Sequence, residues 1–135
     1  MGYCPQKEND VSIRRIGISE PSETSPARAR AVVCEPYIYI GAVAPMESSG
    51  PVFQQTQDVL AQVDELLAAA GGNKHCIVRV EITLSDMNDF AEMNRAWNAW
   101  VDPEKPPGRA CLSAEMANAG ARVEMSVVGT MAEMI

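Results

Sequence analysis

Residues 51–84 read PVFQQTQDVLAQVDELLAAAGGNKHCIVRVEITL, and the change of period inside this stretch decides the fold. In its first part Val59, Val63, Leu66, Leu67 and Ala70 recur at helical spacing on one face. Gln57, Asp58, Gln62 and Asp64 are expected away from that face. Pro51 suits the first helical position and Gly71-Gly72 suit the stop, so the spacing predicts a helix over 51–70. The period then switches to two. In 76–84 Cys76, Val78, Val80, Ile82 and Leu84 are expected to point one way, with Arg79, Glu81 and Thr83 opposite, as in a strand.

Working downstream, a second helix is expected over 86–101. Ser85 is a good N-cap, and Asp86 and Asp89 fall in the first turn, where the helix dipole favours anions. Phe90, Met93, Trp97 and Trp100 share one face, a stripe that reads as core, and Pro103 ends the helix. Strands are expected over 109–114 and 122–128, with a turn at Ala119-Gly120 between them. Upstream, 29–35 (ARAVVCE) and 37–43 (YIYIGAV) read as two strands joined by a tight turn. A loop rich in Ser, Pro and Glu covers 19–26, Val11, Ile13 and Ile16 mark a short alternating stretch, and residues 1–10 look frayed.

Strands, helix, strand, helix, strands is the order of an α/β (α+β) domain. It predicts a mixed sheet of about six strands with both helices on one face, because each helix must serve as a crossover. Two helices leave the second face bare. Yet strand 37–43 offers Ile38, Ile40 and Ala42 on one side and Tyr37, Tyr39 and Val43 on the other. Strand 122–128 likewise sets Val123, Met125 and Val127 against Val128. A sheet apolar on both sides points to another subunit covering the bare face.

Composition narrows the function. The 135 residues suit a single domain, and 47% of them are hydrophobic, too many for a disordered chain. The net charge of −7, with basic residues scattered, argues against nucleic-acid binding. No apolar run approaches the ~18 residues of a membrane helix. Cys4, Cys34, Cys76 and Cys111 are far apart, which fits free thiols in a reducing cytoplasm better than a disulfide scaffold or a zinc site. His75 is the one histidine, expected at the surface after a Gly-Gly-Asn-Lys turn; this disfavours histidine-based triads and multi-histidine metal centres. Neither G-x-G-x-x-G nor Walker A occurs, so no nucleotide cofactor is expected, and no metal either.

Chemistry concentrates in the last third. Arg109 and Cys111 share a strand face, as do Arg122 and Glu124. An arginine fork holds a carboxylate bidentately, and a glutamate can hold or deprotonate a water. From spacing alone, cross-strand salt bridges and a small buried thiol explain the same residues.

Three stretches together resemble the Rid (YjgF) family of imine and enamine deaminases. They are IYIGAVAP at 38–45, the run from QDVLAQVDELLAAAGGNK through IVRVEITLSDMNDFAEMNRAWNAW, and PPGRACLSAEM followed by ARVEMSVVG. The likeness spans about 28–130, and its middle part is similar to the YoaB-type branch. It implies a chorismate-mutase-like fold and a homotrimer with clefts between subunits. It also implies hydrolysis of reactive 2-imino or 2-enamino acids to 2-keto acids and ammonia, without cofactor. Carried over by motif, Arg109 would bind the substrate carboxylate and Glu124 would position the water. The backbone at Cys111 and the ring of Phe90 would line the cleft, with Asn94 a further candidate; Arg122 reads as structural. Two positions depart from the family pattern. Ile40 stands where a serine precedes the glycine, and Ala27 stands where a tyrosine is usual, so Ile40 would narrow and dry the pocket. The departures leave open a non-catalytic trimer that binds small carboxylates or 2-keto acids.

Overall fold

The two periods resolve into ten short elements. A computed structural model describes residues 12–132; the expectations for residues 1–10 and Val11 lie outside that range. The strands are β1 (Ile13–Ile16), β2 (Ala31–Cys34), β3 (Tyr37–Val43), β4 (Ile77–Leu84), β5 (Gly108–Ser113) and β6 (Val123–Thr130). The helices are α1 (Val52–Ala69) and α2 (Phe90–Trp100), and 3-10 turns cover Lys74–Cys76 and Met87–Asp89. All six strands form one sheet in the order β1-β2-β3-β6-β4-β5, with β4 and β5 parallel and the other neighbours antiparallel.

β6 enters between β3 and β4 and is antiparallel to both, so β3 and β4 run parallel with one strand between them. The connections β3–α1–β4 and β4–α2–β5 move across the sheet in the same direction. Crossovers of one hand then put both helices on the same face. Val59, Val63 and Leu67 of α1 and Met93 and Trp97 of α2 share a core with Ile38, Ile82, Leu84 and Met125 of the sheet. The expected α/β sheet of six strands with two helices on one face is the architecture found.

Several local expectations need correction. α1 starts at Val52, with Pro51 as its cap. α2 does not begin after Ser85: Asp86 caps the 3-10 turn by accepting the Asn88 N–H at 2.9 Å, and the α-helix opens only at Phe90. Gln62 is buried rather than turned away, because it bonds Arg30 Nη2 and the Ala44 carbonyl, both at 2.8 Å. Buried amides are tolerated where their partners are supplied. In β3 the register slips between Ile40 and Val43, so Val43 joins Ile38 and Ile40 in the core and Ala42 is exposed. An inserted residue reverses the alternation beyond it. β4 has the same irregularity between Ile77 and Arg79, which buries Ile77 and leaves Val78 half exposed.

The bare face of the sheet carries Tyr37 and Tyr39, at 47% and 45% exposure, beside Val32 and Val128. Gly120, in the loop leading to β6, has φ +87° and a Cβ there would lie 2.3 Å from the Ser48 carbonyl oxygen. That loop is tied down by Gln55, whose Nε2 donates to the carbonyls of Gly50 and Gly120 and whose Oε1 accepts the Arg122 N–H at 2.7 Å. His75 is exposed as expected, with Nδ1 3.0 Å from Asp102.

Candidate active site

Arg109 lies on edge strand β5, paired in register with buried Val80, which sets its side chain on the helix-packed side of the sheet. There the guanidinium carbon is 5.4 Å from the Trp97 ring centroid and 5.8 Å from that of Phe90. Aromatic faces attract a cation without consuming its hydrogen bonds. Among the described residues Arg109 makes no ion pair. Its fork thus lies near two aromatic rings and is left with donors to offer.

Cys111 follows two residues on, paired with Ile82 and packed against the core. Burial pushes its thiol pKa up, with the Arg109 charge pulling weakly the other way. A thiol so shifted is protonated near neutrality and is not primed as a nucleophile. Phe90 is 40% exposed beside the arginine. Asn94 is on the same face of α2 as Phe90 and Trp97, being four residues from one and three from the other. Its Oδ1 is buried and has no hydrogen-bond partner. A buried acceptor left single is costly and invites a donor. Arg109, Cys111, Phe90 and Asn94 therefore gather at the β5–α2 edge.

Glu124 is elsewhere. It pairs with Thr83 between buried Val123 and Met125, so it stands on the bare face of the sheet. It lines a hollow of about 480 Å3 with Ser25, Pro26, Arg28, Ala42 and Asn118 among its walls. Ala27 is exposed between two of those wall residues. Ile40 does not reach the hollow: it is 2% exposed on the core side, and the bulge that follows presents Ala42 instead. The dry, narrowed pocket expected from Ile40 is thus replaced by a wall of Ser25, Arg28, Asn118 and alanines. Arg122 is held by Asp89, its Nη1 lying 3.1 and 3.0 Å from the two carboxylate oxygens, which fits its structural reading.

Sequence reasoning missed Arg28, Ser25 and Asn118. No alternation marks them, since they come from loops: Ser25 and Arg28 reach Glu124 from the 19–28 segment, and Asn118 from the connection between β5 and β6. Among the described residues no group of three or more His, Cys, Asp or Glu converges as metal ligands. No helix among them is long and apolar enough to cross a membrane.

The chain is similar to known proteins along most of its length. The family model described as endoribonuclease L-PSP matches residues 23–131. A RutC family protein of Haemophilus influenzae is 38% identical over 92 residues, 68% of this chain and 79% of that protein. RutC family protein YoaB of Escherichia coli is 39% identical over 87 residues, 64% of this chain and 76% of that one. The crystal structure of NMB1025 from Neisseria meningitidis, a member of the YjgF protein family, superposes with a TM-score of 0.83 at 32% identity, covering 93% of this chain and all of that one. Sheet order, helix placement and sequence agree, and the chain belongs to the YjgF (Rid) family.

Proposed function

We propose that this protein hydrolyses reactive 2-imino and 2-enamino acids to 2-keto acids and ammonia, acting as a homotrimer whose clefts join two subunits. The observation that carries the reading is Arg109: a guanidinium near two aromatic rings, unpaired by any described carboxylate, at an open strand edge. Such a group suits a substrate carboxylate. The trimer is supported by the bare face, where Tyr37 and Tyr39 are exposed beside half-buried Val32 and Val128 in a single chain.

In this mechanism Arg109 of one subunit anchors the carboxylate and Glu124 of the next holds a water against the C=N carbon. The water oxygen attacks, Glu124 accepts its proton, and a carbinolamine forms. That proton passes to nitrogen, the carbinolamine hydroxyl then gives its own proton to the amine through Glu124, and the C–N bond breaks with its electron pair leaving as ammonia while the ketone C=O forms. No oxidant or cofactor enters. Arg109 binds substrate and product alike and so acts on KM, whereas Glu124 acts on kcat.

The test is ammonia release from a 2-imino acid generated in place by an amino-acid oxidase. Native protein should exceed buffer, Arg109→Ala should raise KM, and Glu124→Gln should lower kcat by ~100-fold, the usual scale for a positioned base. A native rate equal to buffer would leave 2-keto acid binding without turnover as the function, a reading favoured by Ala27 and by the absence of a serine before Gly41. The family model's description names a ribonuclease; the net charge of −7 and the lack of a basic stripe weigh against that activity here.

A further inference from the structure

We propose that Arg28 is a specificity residue for a second carboxylate, so that the preferred ligands are dicarboxylic imino and 2-keto acids. The inference rests on the reading just given, in which the Glu124 hollow is one wall of the active cleft. Arg28 lines that hollow with Glu124, Ser25 and Asn118. Its position is fixed by backbone rather than by charge. Ser19 and Arg28 form an isolated antiparallel bridge, with the Ser19 N–H donating to the Arg28 carbonyl at 2.8 Å. The Arg28 Nη1 donates to the Ala42 carbonyl at 3.2 Å, at the bulge of β3.

A carbonyl satisfies one of the five N–H donors of a guanidinium and none of its charge. No carboxylate among the described residues is within ion-pair distance of Arg28. Arg28 is exposed at the wall of a hollow it shares with Glu124, beyond ion-pair distance of that carboxylate, and its remaining donors can take an anion. Arg109 already serves the carboxylate next to the imine. The charge left for Arg28 is one carried by the substrate side chain, and Ser25 and Asn118 add neutral hydrogen-bonding groups to the same wall. The Arg28 charge in this lining favours an acidic side chain over an apolar one.

The experiment is calorimetric titration of the full-length protein with a 2-keto dicarboxylate and with a 2-keto monocarboxylate of similar length. Native protein should bind the dicarboxylate about tenfold tighter, the scale of one added charge-assisted contact. Arg28→Gln keeps a donor for the Ala42 carbonyl and removes the charge, so the ratio of the two affinities should fall towards one. Arg28→Lys should restore part of the ratio. Arg109→Ala should weaken both ligands together. Equal native affinities overturn the proposal. So does an Arg28→Gln variant that weakens both ligands alike, because Arg28 would then hold the common carboxylate. Binding is read without turnover, so loss of the imine-hydrolase reading would show in the ammonia assay and not here.

Discussion

Arg109 and Glu124 stand on opposite faces of one sheet, two strands apart: Arg109 pairs with Val80 on the helix-packed side, and Glu124 pairs with Thr83 on the bare side. A sheet is a barrier to a small molecule, so the two side chains cannot hold one substrate within a single chain. Their cooperation requires an arginine edge from one copy against a glutamate hollow from another.

That relationship makes complementation the sharpest assay. Arg109→Ala and Glu124→Gln chains, each impaired alone in KM or kcat, should regain activity when co-assembled, because some clefts then receive both intact residues. Random mixing in a cyclic trimer gives about a quarter of the native sites. A mixture no more active than its components would mean that each cleft draws both residues from the same chain.

Tyr39 should matter to assembly before it matters to chemistry. It sits mid-sheet on the bare face, in register with Val32 and Val128. Tyr39→Asp would replace an aromatic contact on this face by a charge beside Val32, Val128 and the Arg79–Glu81 pair, and covering a poorly paired charge is costly. If the proposed trimer forms, sedimentation should show it replaced by monomer, with the circular dichroism of the fold retained. An unchanged mass would place the subunit contact elsewhere.

Gln55 is a stability residue disguised as a polar one. At 2% exposure it satisfies three backbone groups around Gly120 and Arg122. Gln55→Leu keeps the volume and strands those groups. Denaturant unfolding should show a loss of roughly 2–4 kcal/mol, since each unpaired buried group costs about 1–3. A loss below about 0.5 kcal/mol, the scale of a neutral surface change, would show that water replaces the amide.

Cys111 should be sluggish. Its burial raises the thiol pKa, and Arg109 opposes that shift. Alkylation at pH 8, followed on the Cys111 peptide by mass spectrometry, should be slower than for free cysteine because less thiolate is present. Arg109→Met removes the opposing charge, so ionisation should move higher and the rate should fall further. Alkylation at the free-cysteine rate would contradict the burial of this thiol.

Helix α1 and its stop were legible in sequence, because Val59, Val63, Leu66 and Leu67 repeat at the helical period and Gly71 follows with φ +90°. The alternation of β6 was legible too. These are local signals: propensity and period act over neighbouring residues. The bulge that exposes Ala42 and buries Val43 left no such mark, because one inserted residue is visible only against its partner strand. The same holds for Gln55 and Gln62, polar letters whose burial depends on carbonyls of residues distant in sequence. For the site, the sequence placed Arg109 with Cys111 on one strand face and Glu124 on another strand. Which side of the sheet each faces depends on β6 entering between β3 and β4, and on the direction in which β5 joins β4. Period two tells a strand's two sides apart but cannot say which is covered; only the crossover of the helices decides that.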